Sequence, residues 1–341
     1  MQETNQLVNG VGGESNDTVP QSRIPPVVNP SYKKEMVALD DVASIDSEIS
    51  ALSGERLNGV LLYSRVASLI TGLSSVISKA ENCGVDKDTI KNAITKSRRV
   101  FSQSPYVNRM QTWPRGYQGD FETVEMISAG VENIELKSVG DCVEYYAQTL
   151  PISQQHRNKL SFQQALAMNC LRNNQNIMSI GCGGAIDICK ALEFFPDYAG
   201  SITFIDMDEE AIELVRKRTA GFDCKYITKN IVRGLGAGQS NSFHLVLCGG
   251  LFDYLDDKVA DLVLRQIKKK LVPDGRLFLT NIAKGNPFRV QMEYLGDWVL
   301  IERSEEELEQ LIRKSFGESS LVDFERDYTG LAILATVSLQ H

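Results

Sequence analysis

The chain has 341 residues, a formal net charge of −8, and 43% hydrophobic against 23% charged residues. Those proportions describe a soluble globular protein long enough for two domains. The acidic balance excludes the basic face that a nucleic-acid partner needs and offers nothing to an anionic membrane surface. Seven cysteines form no C-x-x-C pair, and several sit in apolar runs, so reduced thiols in a cytoplasmic protein are expected. With only three histidines beside them, no metal site is expected.

In chain order, residues 1–34 are polar, proline-bearing and without periodicity, which predicts a disordered tail with no secretory signal. No apolar run reaches the roughly 18–20 residues of a membrane helix. Residues 35–171 read as a helical domain or cap. Leu57, Leu61, Leu62, Val66, Leu69, Ile70, Leu73 and Ile77 recur at helical spacing, a further helix runs from Asp86 through Val100, and two more cover 139–150 and 153–171. These helices either cap the chain's own site or pair two subunits into a homodimer. Between them, Pro114 to Glu125 (PRGYQGDFETVE) has little helical periodicity and gathers Arg115, Tyr117, Asp120 and Glu122. Arg115 suits a bidentate clamp on a substrate carboxylate, Asp120 or Glu122 suit an amine, and an Arg115–Asp120 pair fixing the loop is the bland alternative. His156, in Gln154–Leu160 (QQHRNKL), is either a general base or an interdomain hydrogen-bonding residue.

From 172 to 341 the pattern becomes strand–helix–strand. Ile177–Ile180 runs into Gly181-Cys182-Gly183-Gly184, a helix follows, and Ile202–Ile205 ends in Asp206. Glycines let the backbone approach a ligand, and a carboxylate on the next strand can accept both hydroxyls of a ribose. A dinucleotide fingerprint would place its third glycine where Ile186 stands, so a nicotinamide dehydrogenase is disfavoured. Strands are predicted at 177–181, 201–206, 224–228, 243–248, 276–281, 321–328 and 331–338, with helices near 185–195, 208–219, 256–271 and 304–316. Asp327-Tyr328-Thr329-Gly330 turns the last hairpin. Such alternation implies a doubly wound α/β sheet with ligands at the strands' carboxyl ends. Asp253 and Tyr254 follow the fourth strand as candidate catalytic residues, with a helix-entry carboxylate as the alternative for Asp253. Residues 286–298 form a loop longer than a minimal connection, with Arg289, Glu293 and Trp298 as candidate substrate contacts. Arg303 and Glu307 read as a solvated helical pair.

The G-x-G-G-A loop, Asp206, Asn230 after the third strand, Cys248-Gly249-Gly250 after the fourth and the L-x-P-x-G-x turn at Leu271–Arg276 together resemble class I S-adenosylmethionine-dependent methyltransferases. That resemblance implies a Rossmann-like seven-stranded sheet with its last strand inserted antiparallel, and S-adenosylmethionine as cofactor. It further implies donor contacts from Gly181, Cys182, Gly183, Gly184, Asp206, Met207, Asn230, Ile231, Cys248, Gly249, Gly250 and Tyr117. PRGYQGDFETVE, QQHRNKL, GLFDYLDD and the stretch from Asn286 to Leu308 are similar to a bacterial subgroup labelled 3-hydroxypalmitic acid methyl ester biosynthesis proteins. That label implies methyl ester formation on a small-molecule carboxylate. The acidic residues Asp120, Glu122, Asp253, Glu293 and Asp297 suit an amine or guanidine acceptor better. An aminopropyl or aminocarboxypropyl transferase and an inactive donor-binding scaffold complete the alternatives.

Overall fold

The computed structural model describes residues 30–132, 134–237 and 240–339. The expected tail lies outside the described residues except at its end, where helix α1 (Pro30–Ala51) has already begun. Helix α2 (Gly59–Asn82) buries Leu62, Val66, Leu69, Leu73 and Ile77 along one face, whereas Leu57 of the predicted stripe precedes the helix and Leu61 is exposed. The helix packs between α1 and α7 (Val139–Thr149). By length and composition α2 would also pass for a membrane span, with a mean hydropathy of 1.6, contrary to the sequence expectation; serines scattered among its leucines hide that in a run-by-run reading.

The helix expected over 86–100 is two helices, α3 (Lys87–Ala93) and α4 (Thr95–Phe101). The chain leaves helical geometry at Ile94 (φ −105°, ψ 20°), and the Thr95 hydroxyl donates back to the Asn92 carbonyl at 2.7 Å. α5 (Pro105–Thr112) starts with proline in the first turn behind the Ser104 cap. α6 (Phe121–Ala129) occupies a segment expected to be loop, because Asp120 caps it by accepting from Thr123 N at 2.9 Å. α8 (Pro151–Arg172) then leads into the sheet.

Strands β1 (Ile177–Ile180), β2 (Ile202–Asp206), β3 (Cys224–Thr228), β4 (Phe243–Cys248), β5 (Leu271–Ile282), β6 (Leu321–Arg326) and β7 (Ala332–Ser338) form one seven-stranded sheet. Its order is β3-β2-β1-β4-β5-β7-β6, with β1 to β5 parallel and β7 antiparallel to both neighbours. The strand order reverses between β1 and β4, which opens a crevice at their carboxyl ends. Helices α9 (Ile186–Leu192), α10 (Glu209–Arg218), α11 (Ile231–Ala237), α12 (Asp257–Lys268) and α13 (Glu305–Phe316) pack on the sheet. α11 was not anticipated. Its Gly234 runs so close to β2 that a Cβ would sit 2.7 Å from Ile205, so the glycines that hide the helix in the sequence are what let it dock. β5 takes in the predicted turn from its first residue, Leu271, and the turn survives as an irregular step with Asp274 at φ 63°.

Arg303 corrects another expectation. It is 3% exposed, and Glu307 instead pairs with Lys284 and caps α13 through Ser304. The Arg303 guanidinium donates to Phe252 O at 2.8 Å, Leu255 O at 2.6 Å and Asn281 Oδ1 at 2.7 Å, and it meets Asp257 at 2.8 Å. It therefore fastens the turn after β4 to the end of β5. Arg303→Met should lower the unfolding free energy by about 3 kcal/mol or more in urea titrations, since it strands buried carbonyls.

Candidate active site

β1 ends in a loop that only small residues can form. Gly181 and Gly183 hold φ of 60° and 50°, and Gly181 N donates to Ile205 O at 2.8 Å, tying the loop to β2. Asp206, last in β2, accepts from Gly183 N at 2.9 Å and Asp208 N at 3.0 Å. Burial raises its pKa, and the backbone donors oppose that. Each of its oxygens keeps a further lone pair for a ligand hydroxyl.

A cavity of about 540 Å³ extends from this loop into the helical domain. Gly181, Cys182, Gly183 and Gly184 line it beside Asp206 and Met207, as do Asn230 and Ile231 after β3 and Gly249 and Gly250 after β4. Met207 is 59% exposed and lies at the rim. The Asn230 oxygen accepts from Val232 N at 3.1 Å, so it also starts α11. Cys248 does not face the cavity; it is fully buried with Met178, Val246 and Leu279 in the core on one side of the sheet.

Tyr117, Gln118 and Gly119 form a lid over the cavity. The Tyr117 hydroxyl donates to Asp208 at 2.9 Å, and the Gln118 amide exchanges hydrogen bonds with Val299 at 2.7 and 2.8 Å. Arg115, expected as a substrate clamp, instead grips Asp208 through two nitrogens, one at 2.6 Å, and reaches Glu210 at 3.1 Å. Its partner is thus not Asp120 either. Asp120 is 1% exposed, caps α6 and takes Arg109 at 2.9 Å, while Glu122 pairs with Arg109 and lies 3.8 Å from Arg115.

Two more sequence candidates are drawn away from the cavity. Arg289 binds Glu81 on α2 at 2.5 Å, and Glu293 meets Lys87 at 2.5 Å; both staple the loop after β5 to the helical domain. Asp297 does likewise with Lys91 and Arg98. Trp298 does line the cavity, donating its indole N–H to the Tyr254 hydroxyl at 2.8 Å. Gly119 lies against that pair: a Cβ there would be 2.2 Å from the Tyr254 oxygen.

Asp253, in the turn after β4, is 5% exposed and accepts through Oδ1 from Ile282 N at 2.7 Å and Asn281 Nδ2 at 3.1 Å. Burial pushes its pKa up to about 6, against the pull of Lys159. His156 also lines the cavity; its Nε2 is buried without a partner, and burial, then Lys159, holds its pKa well below the usual histidine value. The imidazole is therefore neutral at pH 7.

Sequence reasoning passed over Lys159, Gln163 and Asp187. Lys159 and Gln163 stand with Gln155 and His156 on one face of α8, all lining the cavity, and Lys159 is only 4% exposed with its pKa lowered by burial. The available signal was a polar stripe at helical spacing on a helix that runs directly into β1. Among the described residues lining the cavity, Lys159 is the one lysine or arginine. No group of acidic, cysteine and histidine side chains fit to hold a metal occurs among the described residues.

Comparison with known proteins bears on this arrangement. Residues 177–275 match the family described as a methyltransferase domain. A Rickettsia prowazekii (strain Madrid E) protein, described as uncharacterized protein RP028, is 24% identical over 105 residues, 30% of this chain and 41% of that protein. A crystal structure of a possible exported protein from Bordetella parapertussis aligns over 92% of this chain and 100% of its own, at 13% identity and a TM-score of 0.54. Magnesium protoporphyrin IX methyltransferase from Synechocystis PCC 6803, with bound S-adenosylhomocysteine, aligns over 55% of this chain and 87% of its own, at 9% identity and a TM-score of 0.43.

The sheet is thus the Rossmann-like methyltransferase fold with an added N-terminal helical region, and residues 177–275 match a methyltransferase domain. The site fits S-adenosylmethionine as the donor. Asp206 offers acceptors for a ribose, Gly249 leaves space that a Cβ would fill, and no anion cradle is demanded because the donor carries no phosphate. Asp206→Asn should weaken S-adenosylhomocysteine binding about tenfold or more by calorimetry. Undiminished affinity would put the ribose elsewhere.

Proposed function

We propose that this S-adenosylmethionine-dependent methyltransferase methylates a carboxylate oxygen of a small organic acid with an apolar body. The observation carrying this reading is the charge around the cavity. Four of the five acidic residues that would have favoured an amine acceptor are spent on ion pairs or a helix cap outside it, whereas Lys159 faces it beside Asp253 and Asp187 without a salt bridge to any of the described residues. The helical domain contributes an apolar stretch of the cavity wall, with Ile70, Phe101, Val107, Met110 and Val143. Those helices therefore act as a cap over their own site, and a homodimer is not needed to complete it. The seven free cysteines support a reducing, cytoplasmic setting.

The sulfonium of the donor supplies an electrophilic methyl group. A carboxylate is already a nucleophile, so the protein's task is alignment and exclusion of water, and alignment of two reactants can supply about 7–11 kcal/mol. Lys159 would hold one acceptor oxygen and leave the other free to attack. The lid from Tyr117 to Gly119 and the Tyr254–Trp298 pair line the cavity and would shield the reacting groups from solvent.

Asp253 supports a second reading. A buried carboxylate with a pKa near 6 is suited to take a proton from an amine before methyl transfer. Product analysis separates the two: a base-labile methyl ester from a panel of organic acids supports the first, and a base-stable product from amines supports the second. Lys159→Met should cut kcat/KM for the acid about a hundredfold and leave S-adenosylhomocysteine affinity intact. Collapse of donor affinity instead would assign Lys159 to the donor's own carboxylate. With a carboxylate acceptor, the rate should not track Asp253. With an amine acceptor, it should rise as the pH passes about 6, where Asp253 loses its proton, and Asp253→Asn should abolish that rise.

A further inference from the structure

Gln163 is 6% exposed, on the face of α8 that looks into the cavity. Its Nε2 donates to Asp187 Oδ2 at 2.6 Å, and a carboxylate only accepts, so the amide is held with its nitrogen toward α9. Oε1 must then point away from Asp187, and it is buried with no hydrogen-bond partner. It projects over the end of β4, where a Cβ on Gly249 would lie 1.6 Å from it. A buried amide oxygen without a donor is costly, and a Gly249 that leaves it clear keeps it accessible to a ligand.

Strand register says which part of a ligand arrives there. Ile180 pairs with Ile205 of β2, and Ser179 pairs with Leu247 of β4, so Gly181 has Asp206 on one side and Gly249 on the other. A ribose held by Asp206 therefore directs the rest of the donor across Gly181 toward Gly249 and Gln163. The group arriving at an acceptor oxygen must be a hydrogen-bond donor, and next to the Asp187 carboxylate it is best a cation. The amino-acid end of S-adenosylmethionine carries one such group, its α-ammonium.

We propose that Gln163, oriented by Asp187, accepts a hydrogen bond from the α-ammonium of the donor and so selects donors that carry this amine. The proposal rests on S-adenosylmethionine as the donor. Asp187 is a positioning residue here: it touches the Gln163 amide and fixes which atom faces the cavity.

The experiment measures calorimetric affinities of the full chain and of Gln163→Met for three ligands. These are S-adenosylhomocysteine, its deaminated analogue, which keeps the carboxylate, and 5′-methylthioadenosine, which lacks the amino-acid end. The substitution should weaken S-adenosylhomocysteine about ten- to hundredfold and leave the other two unchanged. Equal losses for all three ligands, or none for any, would overturn the proposal and leave a buried water as the partner of Oε1. Thermal melting checks that the variant folds. If it does not, the unsubstituted chain decides alone: a preference of about tenfold or more for S-adenosylhomocysteine over its deaminated analogue supports the contact, and equal affinity overturns it. Failure of the donor assignment reads differently, because the unsubstituted chain would then bind none of the three.

Discussion

Two acids one residue apart, Asp206 and Asp208, hold the site together. Asp206 accepts the amides of Gly183 and Asp208, which fixes the glycine loop against the tip of β2. Asp208 caps α10 and takes Arg115 and Tyr117 from the lid. Burial acts to raise the Asp208 pKa, but the Arg115 and Tyr117 contacts outweigh it and hold the carboxyl below its ordinary value. The glycine loop and the lid are therefore coupled through one short stretch of backbone, and whatever displaces the lid pulls on the turn that carries Asp206.

Charge is used elsewhere mainly for assembly. The loop after β5 is anchored to the helical domain by Arg289–Glu81, Glu293–Lys87 and Asp297 with Lys91 and Arg98. Individually such half-exposed pairs contribute little. Arranged along one loop, they fix its register against the helices and remove acidic side chains from the cavity wall. The polar groups that remain in the cavity lie chiefly on α8 and in the turn after β4, and both are held rigidly. α8 is packed against α9 and β4, and the Asp253 turn is tied through Asn281 to Arg303.

The succession of strands along the chain, the glycine loop and the acidic tip of β2 were legible in the sequence because each is a local pattern. Period-two and continuous apolar runs mark strands, glycines mark a backbone that must take positive φ, and the carboxylate follows its strand directly. The start of α3 was legible for the same reason, at Asp86, which caps it. α6 and α11 were not, since Asp120 and Asn230 start them from segments whose glycines read as loop. Arg115, Asp120 and Glu122 are charged residues clustered in sequence, and nothing local says whether their partners will be a ligand or another helix.

The sequence by itself therefore determined the class of sheet, the glycine loop after β1 and the carboxylate at the tip of β2. Only the tertiary structure decided which charges are consumed by ion pairs and which face the cavity. That choice depends on contacts between residues far apart in the chain, such as Arg115 with Asp208 and Arg289 with Glu81. It also decided the role of α8, whose polar stripe becomes meaningful once one turn of it lies beneath the helical cap and another over Gly249. Hydrophobic period is written along a chain, but the partner of a buried polar atom is set by which elements the packing brings against it.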